Sequence, residues 1–574
     1  MEIILTPEYH DLFPGEEDNL EQLLIDIPSL LILKLISMIN AELYANDKGQ
    51  FTQTKIFNLL LGRQPASIKD KIINNAQEKV RRNPNEQTHF FSTLYNMNFL
   101  HYELVNFREL PMNEITPEQD LRLFKAYFLV VEEVNKVYRS TLKKTPEYDA
   151  EYFGKMTWPT LIDQFELNYK LEPYTIMIRG SVFFNYIQCH SQYSMYVKEY
   201  LDKHKKVTAL NYLLDIYNIL ISGYNKTKEN QESGWASFKI SRTDGFDTLF
   251  EQFNLTEREY QQVFKNGKSN YSGIKSKPLY AYDNNNWLIL SWPFLINKMY
   301  EGLLFDFYNI SGIKIEKKFK QFIDFKNFVG EKITEEYLSR KLLRSSFRSK
   351  YQTIFFDDKS RQGLPDCYYR KGNKVILFEI KDAYFPASAI NSFSYDKITE
   401  AIDLKMNNDG KGTGQILKQL GSLIDQSIEK PQGYKHVRNL QIYPVIVYAD
   451  LFFNMPGINH YLENSFGRKI KELNLDKEFK SVHPLTLINI TFLISSFDLF
   501  DGKQLSLISL MDHYHKFIIA KQKRAEKTRD LNDHINSYQP FEQVVSHLLP
   551  YDKSERDYVK ATIEALDLSE GLPR

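Results

Sequence analysis

Apolar residues recur every three to four positions through Leu20–Tyr44, Pro117–Leu142 and Val207–Tyr224, with few alternating stretches between them. That period predicts amphipathic helices and makes residues 1–276 a mainly α-helical region. Thr116 before Pro117, with Asp120 in the first turn, reads as a helix start. The texture changes near residue 278. Lys277-Pro-Leu-Tyr-Ala-Tyr, the polar run Asp283-Asn-Asn-Asn and Trp287-Leu-Ile-Leu predict a strand, a turn and a second strand. A helix follows over Pro293–Tyr308. The pattern then predicts a helix over Phe328–Ser345 and strands over Tyr351–Asp357, Leu364–Arg370 and Lys374–Lys381. A long loop, a helix over Gln415–Ser427 and an apolar strand over Leu440–Ala449 complete an α-β-β-β-α-β order. A strand-like run, His483–Ile494, and a helix near Gln504–Ile519 lead into a charged end. The fold class expected is multidomain α+β. Its parts are the helical region, a hairpin-plus-helix connector (277–310), an αβββαβ domain (311–500) and a helical, basic C-terminal tail (501–574).

Composition narrows the classes. With 43% hydrophobic and 14% aromatic residues among 574, the chain can bury a large core, which excludes disorder and disulfide-scaffold readings. Two cysteines, Cys189 and Cys367, exclude a cysteine-built zinc site and suit a reducing cytoplasm. No apolar run approaches the roughly 18 residues of a membrane span; Ile27–Ile39 is short and carries Lys34. The start Met-Glu-Ile-Ile-Leu-Thr-Pro lacks the basic segment of a secretory signal, so a cytoplasmic protein with no membrane partner is expected. Lys+Arg and Asp+Glu both number 73, so the whole chain is no generic polyanion binder. The distribution is uneven: residues 1–60 carry ten acidic and three basic side chains, and residues 314–350 carry eleven basic and five acidic. Residues 516–530 add six basic against two acidic. Such runs are commonly solvated faces, but the basic ones flank the informative stretch, and the acidic first 60 residues could cover them.

That stretch is Gly363-Leu-Pro-Asp-Cys-Tyr-Tyr-Arg-Lys-Gly-Asn-Lys-Val-Ile-Leu-Phe-Glu-Ile-Lys-Asp382. Gly372-Asn373 is a two-residue turn signal between Lys371 and Lys374. Pairing those lysines sets the register and puts Asp366 opposite Glu379; alternation puts Lys381 on the face of Glu379. Opposed carboxylates with Cβ atoms roughly 4.5–5.5 Å apart repel each other. A divalent cation offsets that, and hard oxygen ligands suit Mg²⁺ with retained waters. Lys381 beside it can orient water or offset charge developing on a phosphate. Glu-x-Lys recurs at Glu316–Lys318 and Glu478–Lys480, but neither has a hairpin partner with a mirrored aspartate.

Pro365-Asp366, twelve intervening residues and Glu379-Ile-Lys381 resemble the PD-(D/E)xK signature of restriction-endonuclease-like nucleases. The resemblance covers residues 311–500, about a third of the chain, and implies an αβββαβ core. It implies Asp366 and Glu379 as metal ligands, the Ile380 carbonyl as a third, and Lys381 as the catalytic lysine. It implies Mg²⁺ as cofactor, with Mn²⁺ able to substitute. The family also places a glutamate on the first core helix. Glu331, Glu335 and Glu336 compete; Glu336 is favoured because it lies between Val329, Ile333 and Leu343 on one apolar face. A polar residue on the second core helix can face the site, which brings in Gln415, with Gln419 next to it in line; the alternative is a capped, half-exposed helix. Asp357-Asp358 reads either as a turn or as a contact for a second cation.

Other chemistry is absent. There is no His-Glu-x-x-His, Gly-x-Ser-x-Gly or dinucleotide fingerprint, and Gly410-Lys-Gly-Thr-Gly414 lacks the ending of a phosphate loop. Cys189-His190 and His513/His515 read as packing residues. The function expected is a metal-dependent nuclease, most readily a DNA endonuclease of bacterial restriction or defence. Its partners would be nucleic acid and either a second copy of the chain or a defence-system protein. An RNA-cleaving enzyme of the same fold, or an interaction protein with an inactive nuclease-like domain, are the rivals; intact Asp366, Glu379 and Lys381 argue against the last.

Overall fold

A computed structural model describes residues 4–46, 49–81, 87–141, 151–228, 237–239, 247–265, 271–349, 351–357, 363–425, 436–500, 505–528, 531–550 and 555–568. It is mixed α/β and mostly helical, with one large mixed sheet in the C-terminal half. The N-terminal part is helical as its period predicts. Ser29–Ala45, Thr93–Val105 and Pro117–Thr141 bury Ile36, Phe99, Phe124 and Tyr127 among them. The single helix expected over Leu20–Tyr44 is instead two, Leu20–Leu24 and Ser29–Ala45. Pro28 between them is extended, because its ring and missing N–H do not suit a helix interior. The expected hairpin forms from Leu279–Ala281 and Asn286–Ile289, and Ser237–Lys239 adds a third strand to it.

The large sheet contains β1 (Gln352–Phe356), β2 (Cys367–Lys371), β3 (Lys374–Lys381), β4 (Gln441–Tyr448), β5 (Ser481–Val482) and β6 (Thr486–Asn489). The β1–β2 and β2–β3 pairs are antiparallel, β3–β4 is parallel, and β5 and β6 both pair parallel to β4. Lys371 pairs with Lys374 and Cys367 with Phe378, the register that the Gly-Asn turn predicts. His483–Ile494 is not one strand: it passes through β6 into the helix Ile490–Ser496, whose first turn is capped by Asn489.

Both faces of the sheet are covered. Cys367, Ile376, Phe378 and Ile380 face a core shared with the helix Pro173–Cys189 and with α1. Helix α1 is one rod made of Phe322–Phe328, a π-helical stretch Val329–Ser339, and Arg340–Ser346. Val375 and Leu377 face Trp158 together with α2 (Tyr395–Met406) and α3 (Thr413–Ile424). Helix α2 lies within the stretch expected to be a long loop. A parallel β3–β4 pair needs a crossover of this kind. The C-terminal stretch is packed rather than tail-like. Leu510, Met511 and Tyr514 of α4 (Leu507–Thr528) join Phe541 and Val544 in the main core, and Tyr558 donates to the Ile494 carbonyl at 2.7 Å.

Candidate active site

Six of the eight residues of β3 are buried, and one of those six is Glu379. A carboxylate inside a strand covered on both faces demands compensation, because burial disfavours its charged form. Glu379 is 1% exposed. Its Oε1 accepts from Lys381 Nζ at 2.6 Å and its Oε2 from Gln419 Nε2 at 2.7 Å. Asp366 lies one position beyond the last β2–β3 ladder pair, where the backbone N–H of Ile380 has no strand partner. Asp366 Oδ2 accepts that N–H at 2.7 Å. Within a strand the N–H and C=O of a residue point the same way, so the Ile380 carbonyl also faces Asp366. The neighbouring Lys381 carbonyl points the other way and accepts from Ala449 N at 3.1 Å.

Asp366, Glu379 and Lys381 therefore come together as the hairpin register predicts. Burial, and then the nearby Asp366, push the Glu379 carboxyl up to about 8. Burial also raises Asp366, while Lys381 and the Ile380 N–H pull it back. Burial opposes the Lys381 ammonium, yet Glu379, Asp366 and Glu335 together hold it above the ordinary lysine value. The cluster has more acidic groups than the single Lys381 ammonium can balance, so its carboxyls are pushed toward their protonated forms.

Two expected residues are replaced by neighbours. Glu336 accepts from Lys332 at 2.8 Å, away from the cluster. Glu335 approaches the site instead; burial and then Asp366 push its carboxyl up to about 8. The reason is the π-helical winding. Its i→i+5 bonding shifts the side-chain period from that of an α-helix. The buried pairs Val329–Gly330, Ile333–Thr334 and Leu338–Ser339 accordingly recur every four to five residues. Gln415 is also outside the site. It is the third residue of α3, and its side chain accepts from Gly412 N at 3.2 Å, reaching back to the helix start. Gly412 closes that turn at φ 57°, where an added Cβ would lie 2.1 Å from the Met406 carbonyl. One turn further on, Gln419 reaches Glu379. The capping pattern was the signal, since a glutamine three residues past a cap is committed to the backbone.

The remaining candidates sit elsewhere. Asp357 follows β1, where Arg340 donates to its carbonyl at 2.5 Å, and its charge raises Asp366. Asp358 lies outside the described residues. His190 stacks on Tyr193 at 4.3 Å, and Thr486 and His515 are bonded at 2.8 Å, both as packing groups. Among the described residues no ion pair joins the acidic N-terminal segment to the 314–350 stretch. Glu16 and Asp18 pair with Lys125, and Asp26 with Arg122.

Among the described residues no three His, Cys, Asp or Glu side chains converge on one point as a metal cage. The donor set is smaller, two carboxylates and a strand-edge carbonyl. Gln419 Oε1, buried beside Glu379, has no hydrogen-bond partner. Two unbalanced carboxylates and a spare buried acceptor fit a hard divalent cation that keeps several waters, as Mg²⁺ does. Set against protein-family models, curated proteins and solved structures, the chain matches none. Among the described residues no helix is long and apolar enough to cross a membrane.

Proposed function

We propose that this protein is a metal-dependent nuclease that hydrolyses phosphodiester bonds, with DNA as substrate, on a core of the PD-(D/E)xK type. One observation carries the reading. Asp366 and Glu379 sit side by side at the end of a buried strand with Lys381 bonded to one of them, and both carboxyls stay raised despite that ammonium. The helix–three strands–helices–strand order around them supports it. Restriction or defence against foreign DNA is the setting we propose, on the resemblance alone.

Asp366, Glu379 and the Ile380 carbonyl would hold the cation. When bound, Mg²⁺ supplies Lewis-acid polarisation of a phosphoryl oxygen and acidifies water. The chain's own groups do the rest. Gln419 fixes the Glu379 carboxylate by holding Oε2, which leaves Oε1 to orient Lys381. Lys381 places a fixed ammonium where negative charge develops on a phosphate, in a site only 15% exposed at that side chain. Glu335 stands close enough to take or hold a proton near Lys381. Backbone phosphates would meet Lys317, Lys320 and Arg344, which are exposed on α1 and the segment before it. Lys326, Lys332 and Lys341 of the same basic stretch are held in internal ion pairs.

The test is incubation of the full chain with plasmid DNA and structured RNA in Mg²⁺ or Mn²⁺, with EDTA as control. Metal-dependent loss of supercoiled DNA that Lys381→Met abolishes is the expected result. Cleavage of RNA alone would change the substrate. No cleavage of either, or cleavage untouched by EDTA and by Lys381→Met, would overturn the proposal.

A further inference from the structure

A second site lies away from Asp366, Glu379 and Lys381, at the seam between the helical half and the segment that follows β3. It is a cavity of about 270 Å³, lined by Tyr138, Asp163, Tyr260, Tyr271, Lys275 and Phe393 among others. The Tyr138 and Phe393 rings stand 6.2 Å apart, tilted by 52°. Tyr138 donates its hydroxyl to Asp163 at 2.9 Å and is the one side chain bonded to that carboxylate among the described residues. The backbone N–H groups of Asp163 and Gln164 also support it, so of about four acceptor positions one stays open and the rotatable Tyr138 hydroxyl holds another. Burial pushes its carboxyl up to about 6. Lys275 is paired with Glu166, which lies one turn after Asp163 on the helix Tyr152–Asn168, so its ammonium is already committed.

The backbone singles out the same place. Five non-glycine residues among those described have positive φ, and two of them, Tyr271 (54°) and Phe393 (49°), line this cavity. Bulky side chains rarely adopt that conformation, and strain of this kind concentrates at ligand clamps. Aromatic walls want a flat ring. The carboxylate, with the open position and the one that the Tyr138 hydroxyl can yield, suits two parallel N–H groups on one edge of that ring. The volume is below the roughly 300–1,000 Å³ of drug-sized pockets, so one bicyclic ring fits and a sugar and phosphate must lie outside.

We propose that this cavity binds a guanine base, stacked among Tyr138, Tyr271 and Phe393 with its N1–H and N2–H groups on Asp163. Stacking plus edge recognition is how proteins read an unstacked base. Adenine lacks that donor pair. The proposal does not rest on the nuclease reading. The base could arrive on a free nucleotide or within a single strand, and the arms of the test separate the two.

Equilibrium dialysis of the full chain against GMP and AMP gives the first arm. GMP should bind about tenfold or more tightly than AMP, and Asp163→Asn should remove that preference. The second arm is competition between guanine-containing and guanine-free single-stranded oligonucleotides. A guanine preference only there, cancelled by Asp163→Asn, assigns the site to a polynucleotide base. Phe393→Gly relieves the backbone and removes one wall. It should hold or raise the thermal midpoint while weakening guanine binding, which separates loss of the site from loss of the fold. Glu379→Ala should leave guanine binding unchanged, so failure of cleavage and failure of this site are read separately. No guanine preference in either arm, or preference unchanged in Asp163→Asn and Phe393→Gly, would overturn the proposal.

Discussion

Alternation along β3 sends Glu379 and Lys381 to one side of the strand and Asp382, just past its end, to the other. The two sides bury charge in opposite ways. Asp382 receives Lys326 Nζ at 2.7 Å and Thr334 Oγ1 at 2.6 Å, both from α1. Burial works against its carboxylate, but Lys326 and Arg179 hold its carboxyl below the ordinary range. Gly330 makes that approach possible, since an added Cβ would lie 3.2 Å from the Asp382 carbonyl. Glu379 also has two donors, yet burial and Asp366 leave it raised. Buried charge by itself therefore marks structure as readily as chemistry; what marks a site is charge left over after every neighbour is counted.

The sharpest way to break the balanced side is Lys326→Met. It leaves Asp382 buried without its cation and should cost about 3–5 kcal/mol in chemical denaturation. Glu379→Gln on the other side should hold or raise the stability of the cation-free protein, because it removes one of two repelling carboxylates. Equal losses in both variants would erase the distinction. Next in size is the rate. Lys381→Met should spare cation binding but lower cleavage by about 10²–10³-fold, measured in single-turnover assays with saturating Mg²⁺.

Smaller effects test the reassigned residues. Gln419→Ala and Glu335→Gln should each lower activity or metal affinity by about 10–100-fold. Gln415→Ala and Glu336→Gln, which change a cap and a surface pair, should leave both near the parent values. The smallest effect is in pH. Glu335 and Glu379 have folded values near 8, above the ordinary 4.5, so they stabilise the fold when protonated. That contribution is complete below about pH 4.5 and is lost as pH rises through 8. Thermal midpoints of the cation-free protein should fall over that window, and Mg²⁺ should restore them at pH 8 but not at pH 5. Asp382 runs the other way, losing its contribution only as pH falls below the ordinary aspartate range. A midpoint that rises with pH and ignores Mg²⁺ would contradict the imbalance.

The hairpin was legible because its information is local. A Gly-Asn turn and a period of two leave one register, and that register carries Asp366, Glu379 and Lys381 into one place. Glu335 was hidden because an assumed α-helical period assigns faces wrongly along π-helical Val329–Ser339. Gln415 and Gln419 were both in view, and the contact with Gly412 is what commits Gln415 to the backbone and leaves Gln419 for the site. The Asp382 cluster could not be read at all. Arg179, Lys326 and Asp382 lie more than fifty residues apart, and only packing joins them. The partners of the acidic N-terminal segment were unreadable for the same reason, since opposite charges in sequence do not choose their partners until the helices pack.

The winding of α1 has a mechanical side. A π-helical turn takes in more chain per unit of length than an α-helical one and turns less per residue, so Val329–Ser339 is an underwound segment between two clamps. Lys326 is fixed to Asp382 before it, and Lys341 reaches Asp567 after it. Rewinding those eleven residues more tightly into α-helix would lengthen the rod and twist one clamp against the other. Glu335, near the middle, would swing off Lys381 while β2 and β3 stayed still. The end of the C-terminal helix Glu555–Leu566 would meet that rotation directly, because its Leu566 carbonyl accepts from Lys341 at 3.3 Å.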